Sequence, residues 1–391
     1  MGGPLTTSAV VYTSERDAAE AGQDLARKIA AKLGGPPDAL VVFASPAYDQ
    51  PVLLKTLREQ CRPAVMVGAS SAGEFTTDAR GEGLACALAL RSSEMKFSAG
   101  IGRGLSHDPE GVARSIVSHF EGVAAASSMY RVALVLTDAL AGHADRLIDS
   151  LTVATGGTYQ FFGGGAGDNA QFRRTQVFFG EEAVSDAAVA LEILSPKPIG
   201  IGFSHGWEPA GPLLRVTEAQ GARLVSLNSL PAVQAFEAHA AATGQHLDRA
   251  AAIPFFLHNI LGIESVDGFR LRVPLVIDAD GAVTCAAEIP EGAAVRIMRT
   301  TGKSAIDAAV LATREAMTGL QGNRPQVALF FDCVATRLRM GDVFGYELNA
   351  VAEQLGEAGF VGCNTHGQIA RAEGQFGAFH NCTAVVCVLP E

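Results

Sequence analysis

The sequence predicts an α/β protein with mixed sheets packed against helices, two domains and internal pseudo-symmetric repeats. Three observations carry that prediction. A unit of strand, loop, helix, strand and glycine-bearing polar loop returns three times, from Ala39 to Phe75, from Val132 to Phe172 and from Gln326 to Ile369. Hydrophobic residues make up 48% of the 391 residues and charged ones 18%, which supports a large buried core and argues against disorder. Gly and Ala are abundant and aromatics sparse, which fits short turns and close packing between elements.

Taken in order, Ala9–Tyr12 reads as a first strand. Arg16–Leu33 has helical apolar spacing and stops at Gly34-Gly35-Pro36-Pro37. Ala39–Phe43 is a buried strand, Val52–Gln60 a helix and Ala64–Val67 a strand. Two further strands, Gly83–Leu90 and Lys96–Ile101, precede a helix over Pro109–Glu121. In the second copy, Val132–Thr137 is the strand, His143–Ala154 the helix, and Thr158–Phe162 leads into a glycine run. Gln176–Phe179, Ala187–Ile193 and Ile199–Phe203 read as an antiparallel extension. Copies one and two thus form one symmetric domain, with repeats over 9–104 and 131–204.

Gly206-Trp207-Glu208-Pro209-Ala210-Gly211-Pro212 is the densest turn region and marks a boundary. Beyond it, Pro231–Ala242 is helical with Pro in its first turn. Phe269–Ile277 and Val283–Ala287 form a hairpin around Asp278-Ala279-Asp280-Gly281. Lys303–Leu320 is a helix, the third copy follows, and Ala384–Leu389 ends the chain as a strand. The domains are therefore 1–206 and 207–391, with copy three closing the second.

The net charge of −11, with no basic cluster, speaks against nucleic acid and anionic membranes as partners. Met1–Ser8 shows no secretion signal, and no apolar run is long enough to span a membrane. Seven scattered cysteines without a CxxC pair read as reduced thiols in a cytoplasmic protein.

Gly202-Phe203-Ser204-His205-Gly206 matches the nucleophile-elbow pattern, but the turn-rich segment after it cannot be the helix that an elbow requires. Gly163–Asp168 lacks the Lys-Ser/Thr of a phosphate loop, and Thr301-Gly302-Lys303-Ser304 lacks the first glycine. Cys363, His366, His380 and Cys382 lack the spacing of a structural zinc site. The ends of the three copies are more informative. Val67-Gly68-Ala69-Ser70-Ser71-Ala72-Gly73-Glu74 and Val361-Gly362-Cys363-Asn364-Thr365-His366-Gly367-Gln368 match almost position for position. Polar residues directly after strands suit the orientation of a small ligand, although the same residues also favour turns.

Phe162-Gly163-Gly164-Gly165-Ala166-Gly167-Asp168, Ser204-His205-Gly206-Trp207, Leu227-Asn228-Ser229-Leu230-Pro231-Ala232 and Phe379-His380-Asn381-Cys382-Thr383 resemble the FIST family, with an N region and a C region over nearly the whole chain. Three places depart from the family's pattern: Gln368 stands for Glu, Cys382 for Gln, and Cys333-Val334-Ala335-Thr336-Arg337 loosens a Cys-x-Gly-Arg motif. The resemblance implies a small-molecule sensor working through a separate partner, such as a histidine kinase. One branch of the family binds haem and senses nitric oxide. On that implication His205, His258, His366 and His380 are the candidate axial ligands.

The combined expectation is a cytoplasmic small-ligand sensor without catalysis. Its ligand-binding residues would be Ser70, Ser71, Glu74, Gly165, Asp168, His205, Arg337, Asn364, His366 and Gln368. No cofactor is required by the residues alone; haem enters through the resemblance. A haem-based nitric oxide sensor and a hydrolase using Ser204 are the alternatives.

Overall fold

The computed structural model describes residues 5–124, 129–266, 268–371 and 379–391. Of the sequence readings, the one on Met1–Pro4 lies outside them. Copy one runs β1 (Thr6–Thr13), α1 (Ala18–Leu33), β2 (Ala39–Ala44), α2 (Gln50–Cys61), β3 (Val65–Ser70), a hairpin of β4 (Glu74–Thr76) and β5 (Arg80–Gly81), and β6 (Ala85–Ser92). Copy two repeats that order. It runs β7 (Lys96–Arg103), α3 (Pro109–Val117), β8 (Tyr130–Thr137), α4 (Ala144–Ala154), β9 (Gln160–Gly165), a hairpin of β10 (Val177–Phe179) and β11 (Glu182–Val184), and β12 (Ala187–Ser195).

Copy three opens with β13 (Gly200–Ser204) and is then interrupted. The inserted segment holds β14 (Trp207–Pro209), β15 (Leu214–Gln220), β16 (Arg223–Leu227), β17 (Leu230–Pro231), α5 (Ala232–Thr243), α6 (Ile253–Phe256), β18 (Ile260–Ser265), β19 (Gly268–Arg272), β20 (Pro274–Ile277), β21 (Val283–Cys285) and β22 (Ala294–Thr300). The copy resumes with α7 (Gly302–Gly319), β23 (Pro325–Cys333), α8 (Val334–Met340), α9 (Phe344–Leu355), β24 (Gly359–Thr365), a hairpin of β25 (Gln368–Arg371) and β26 (Phe379–His380), and β27 (Ala384–Pro390).

Local chemistry sets the limits of the helices. Asp17 caps α1 through the N–H groups of Ala19 and Glu20, and Gly34 ends it at φ 68°. Asp49 and Asp108 cap α2 and α3, each with Pro in the first turn. The all-apolar β2 is buried on both faces: Val41 and Phe43 enter the central core, and Leu40 and Val42 pack under α1 and α2.

The three sheets have one strand order. They are β1-β6-β2-β3-β10-β11, β7-β12-β8-β9-β25-β26 and β13-β27-β23-β24-β4-β5. Each sheet is completed by a hairpin from another copy. Copy two lends β10 to β3, copy three lends β25 to β9, and copy one lends β4 to β24. The inner faces of all three sheets share one core, which includes Phe43, Phe162 and Phe331. The helices cover the outer faces: α1 and α2 on the first sheet, α3 and α4 on the second, α7 and α9 on the third.

Two readings change here. Copy three does not close a second domain; it is the third equivalent unit around the shared core. The separate body is the inserted nine-stranded sheet with α5 and α6, which has its own core around Phe236 and Phe256. The chain leaves β13 for this insert at positions 206–207, and two of the four sheets take strands from both sides of that point. The G-x-S-x-G match also resolves into packing. A Cβ at Gly200, Gly202 or Gly206 would lie 1.7, 2.0 or 2.1 Å from a carbonyl oxygen of α7, at Ala316, Ala312 and Ser304. Gly100 and Gly102 of β7 meet α3 in the same way. Glycine lets helix and strand approach, and Ser204 stays in a strand paired with β27.

Candidate functional site

The loops after β3, β9 and β24 converge at one end of the core and lock together in a ring. The N–H of Ala72 donates to the carbonyl of Asn364 at 2.9 Å, His366 to Gly165 at 3.0 Å, and Gly167 to Ser70 at 2.8 Å. A second ring runs in the opposite sense: Ser70 N–H to Gln176 at 2.9 Å, Gly165 to Gly367 at 2.9 Å, and Asn364 to Gly73 at 2.8 Å. Ser70, Gly165 and Asn364 are therefore equivalent positions. So are Ala72, Gly167 and His366. The glycine one turn of the pleat earlier has a steric cause in every copy. A Cβ at Gly68, Gly163 or Gly362 would sit 2.0, 2.1 or 1.8 Å from the carbonyl oxygen of Val42, Val135 or Phe330.

Most of the polar side chains expected at a ligand are turned into this scaffold. Ser70 Oγ accepts from the N–H of Gln176 at 3.0 Å. Ser71 donates to Glu74, whose other carboxyl oxygen accepts from the N–H of Leu84 at 3.0 Å. In copy three Gln368 does the same work, donating to Thr365 at 2.8 Å and accepting from the N–H of Thr383 at 3.2 Å. Burial pushes the Glu74 carboxyl up to about 7, against the opposing hydrogen bonds from Ser71 and Leu84. Asp168 accepts from the N–H groups of Phe172, Arg173 and Arg174 and so folds the loop that carries Phe172. Gly165 lies in β9, where a Cβ would meet Ala139 at 2.8 Å.

The remaining candidates open onto separate clefts around the ring. Arg337 and Asn364 line a polar cleft of about 610 Å³ with Glu74, between α8 and the β4–β5 hairpin. Asp168 borders another, of about 570 Å³, against the loop from Pro46 to Asp49 and the start of α2. His366 lines a third of about 610 Å³, whose other walls are Leu140, Phe172, Ile253, Val276 and Leu338 among other apolar residues. Those five are large apolar side chains, each 41–54% exposed. Leu338 borders both the polar and the apolar cleft, so α8 is a partition between them.

His366 is the polar focus of the apolar cleft. Its ring stacks on Phe172 with centroids 4.6 Å apart. Neither ring nitrogen has a hydrogen-bond partner, and the Asp168 carboxylate stands 3.6 Å from Nε2. Desolvation lowers its pKa to about 4 despite that carboxylate, so the imidazole is neutral at physiological pH. The other histidines are engaged or placed elsewhere. His205 pairs through Nε2 with the carbonyl of Phe269 at 3.2 Å and through Nδ1 with the N–H of Trp207 at 3.3 Å. His380 is buried beside Phe203, 3.4 Å from the carbonyl of Ala370. His258 is exposed after α6.

Sequence reasoning missed the apolar side of the site. Leu140 sits in a short 3-10 helix and Phe172 in a loop, and the available signal was a large apolar residue within a connecting segment. Cys333 and Asn381 also line this cleft. The hydrogen bond from the Cys382 thiol lowers the Cys333 pKa to about 6 and raises that of Cys382. All seven cysteines are buried and unpaired. Among the described residues, no group of three or more His, Cys, Asp and Glu is placed to hold a metal ion, and no helix is long and apolar enough to cross a membrane.

Residues 38–229 match the FIST N domain, and residues 233–371 match the FIST C domain. The chain belongs to the FIST family. FIST domains are sensory, small-ligand-binding signalling domains, and this chain carries both of the family's regions. No curated protein matches it. Among solved structures, cyanuric acid hydrolase from A. caulinodans pairs with 99% of this FIST chain and 100% of its own, at 9% identity and a TM-score of 0.34. T. maritima PurL complexed with ATP pairs with 98% of this chain and 71% of its own, at 10% identity and a TM-score of 0.21. The expectation of no catalysis is withdrawn against this hydrolase pairing, which at its TM-score does not make the protein an enzyme either. At those TM-scores neither structure transfers a substrate or a residue role to the FIST chain.

Proposed function

We propose that this FIST protein senses a small, mainly apolar ligand in the cleft between the threefold core and the inserted sheet. The observation that carries the proposal is His366: a neutral, buried imidazole with no hydrogen bond at either nitrogen, in the wall of a mainly apolar cleft of about 610 Å³. Apolar walls with few polar groups are the usual make-up of a small-molecule site. A ligand there touches the core through Leu140, Phe172 and His366 and the insert through Ile253 and Val276. Its binding would favour one position of the insert over others, and a separate signalling partner would read that preference.

The test is a melting-temperature titration with indole as an apolar probe carrying one polar group. Saturable stabilisation is expected, because a ligand of the native state raises its apparent stability. Phe172→Glu is expected to abolish it without unfolding the protein, since Phe172 is partly exposed. An unchanged response in Phe172→Glu, or no saturable response in the wild type, rejects the cleft.

The same histidine favours a second reading, a haem-based sensor. The residues present fit haem: His366 offers a free imidazole nitrogen, and the surrounding walls are apolar. His366 would hold the iron and the walls would seat the macrocycle; the bound group would supply a gas-binding iron. An absorption spectrum of haem-reconstituted protein separates the two readings. A Soret band that shifts with nitric oxide and is lost in His366→Ala supports haem; free haem's spectrum alone rejects it.

A further inference from the structure

We infer that the polar cleft between α8 and the β4–β5 hairpin is a second ligand site, which takes a small carboxylate anion. It lies on the other side of α8 from the apolar cleft and does not depend on what occupies that cleft. Arg337 is held there by one end only. Its Nη1 pairs with Glu82, whereas Nε and Nη2 are buried without a partner. Those two nitrogens form one edge of the guanidinium, with parallel N–H groups spaced to grip a carboxylate through both oxygens.

Asn364 adds the second independent mark of a ligand. It is 1% exposed, lines the cleft, and has no partner for either amide atom. An unpaired buried amide is costly, and native proteins leave few of them. Both groups converge at Gly73, where a Cβ would lie 2.9 Å from Asn364 Oδ1 and 3.2 Å from Arg337 Nε. Glycine at 73, with φ 124°, therefore keeps the mouth of the fork open. Arg80 and Asp342 also line the cleft. One planar fork and one amide match one planar carboxylate; a phosphate would call for further donors around its remaining oxygens.

The test is a melting-temperature titration of the full chain with sodium acetate at pH 6.5. Sodium chloride and sodium phosphate at equal ionic strength are the comparisons. Acetate is expected to raise Tm saturably, and the other two salts are not. Arg337→Gln is expected to lose the response. Arg337→Lys, which keeps the charge facing Glu82 but not the fork, is expected to weaken apparent affinity about tenfold. Equal responses to acetate and phosphate, or a full acetate response in Arg337→Lys, overturn the site. The lysine variant decides the question even if the glutamine variant does not fold. Phe172→Glu, in the other cleft, is expected to keep the acetate response, so failure of one site is distinguishable from failure of the other.

Discussion

Replacing Glu74 by Gln should stabilise the protein at neutral and higher pH and leave it unchanged below its unfolded pKa of 4.5. Glu74 is 1% exposed, and burial raises its pKa from 4.5 to about 7. Tyr48, Glu82, Cys86, Arg337 and Cys363 are the titratable and charged groups around it. A carboxyl raised in the fold stabilises fully below its unfolded value, and that contribution is lost as pH rises through about 7. The rise corresponds to about 3 kcal/mol at pH 8. Glutamine mimics the protonated acid: its oxygen can accept from Leu84, and its amide can donate to Ser71. Copy three already uses this solution, with Gln368 bonded to Thr365 and Thr383. Urea unfolding of both proteins from about pH 4 to 8.5 measures the effect. The variant should match wild type near pH 4 and exceed it by about 3 kcal/mol at pH 8. Parallel pH profiles, or a less stable variant at pH 8, would refute the reasoning.

Acid acts in the other direction through histidine. Burial lowers His366 to about 4 and His380 to about 3, so their neutral forms contribute stability that is complete above 6.5 and fades as pH falls. In a Glu74→Gln background, His366→Gln should remove about 3 kcal/mol of the loss seen between pH 7 and pH 4, measured by urea midpoints. Gly362→Ala drives a Cβ to 1.8 Å from the Phe330 carbonyl and should destabilise by more than about 4 kcal/mol, seen as lost soluble yield and a lower Tm. Gly202→Ala should be similarly damaging, because its Cβ meets the Ala312 carbonyl at 2.0 Å. Ser204→Ala, two residues on, should change stability by less than about 0.5 kcal/mol in the same assay.

The strand and helix order of each copy was legible because apolar spacing and breakers are local. Asp17 before α1 and Gly34 after it are signals that act within a few residues. The matching ends at Val67–Glu74 and Val361–Gln368 were legible for the same reason. The pairing of the hairpins was not. Glu74 lies opposite Cys363, about three quarters of the chain away, and nothing at Glu74 names that partner. The third copy was found from Gln326 onward, but β13 was not recognised as its first strand because the insert separates β13 from α7. The loop polar residues were found, but sequence could not tell which way they face. Ser71 and Gln368 turn inward to bond their own copies, whereas of the residues named from sequence Arg337, Asn364 and His366 keep polar atoms without a hydrogen-bond partner at a cleft.

Lending hairpins around a closed circle has a consequence for assembly. No copy owns a complete sheet: the first sheet lacks its edge until β10 and β11 exist, the second until β25 and β26, and the third draws β4 and β5 from the first. A ribosome releasing the chain from its N-terminus therefore exposes β4 and β5 as an orphan ribbon until β24 emerges. Such distant pairings slow folding and leave strand edges open meanwhile. The three repeats behave as links of one clasp, which closes only when the last is in place.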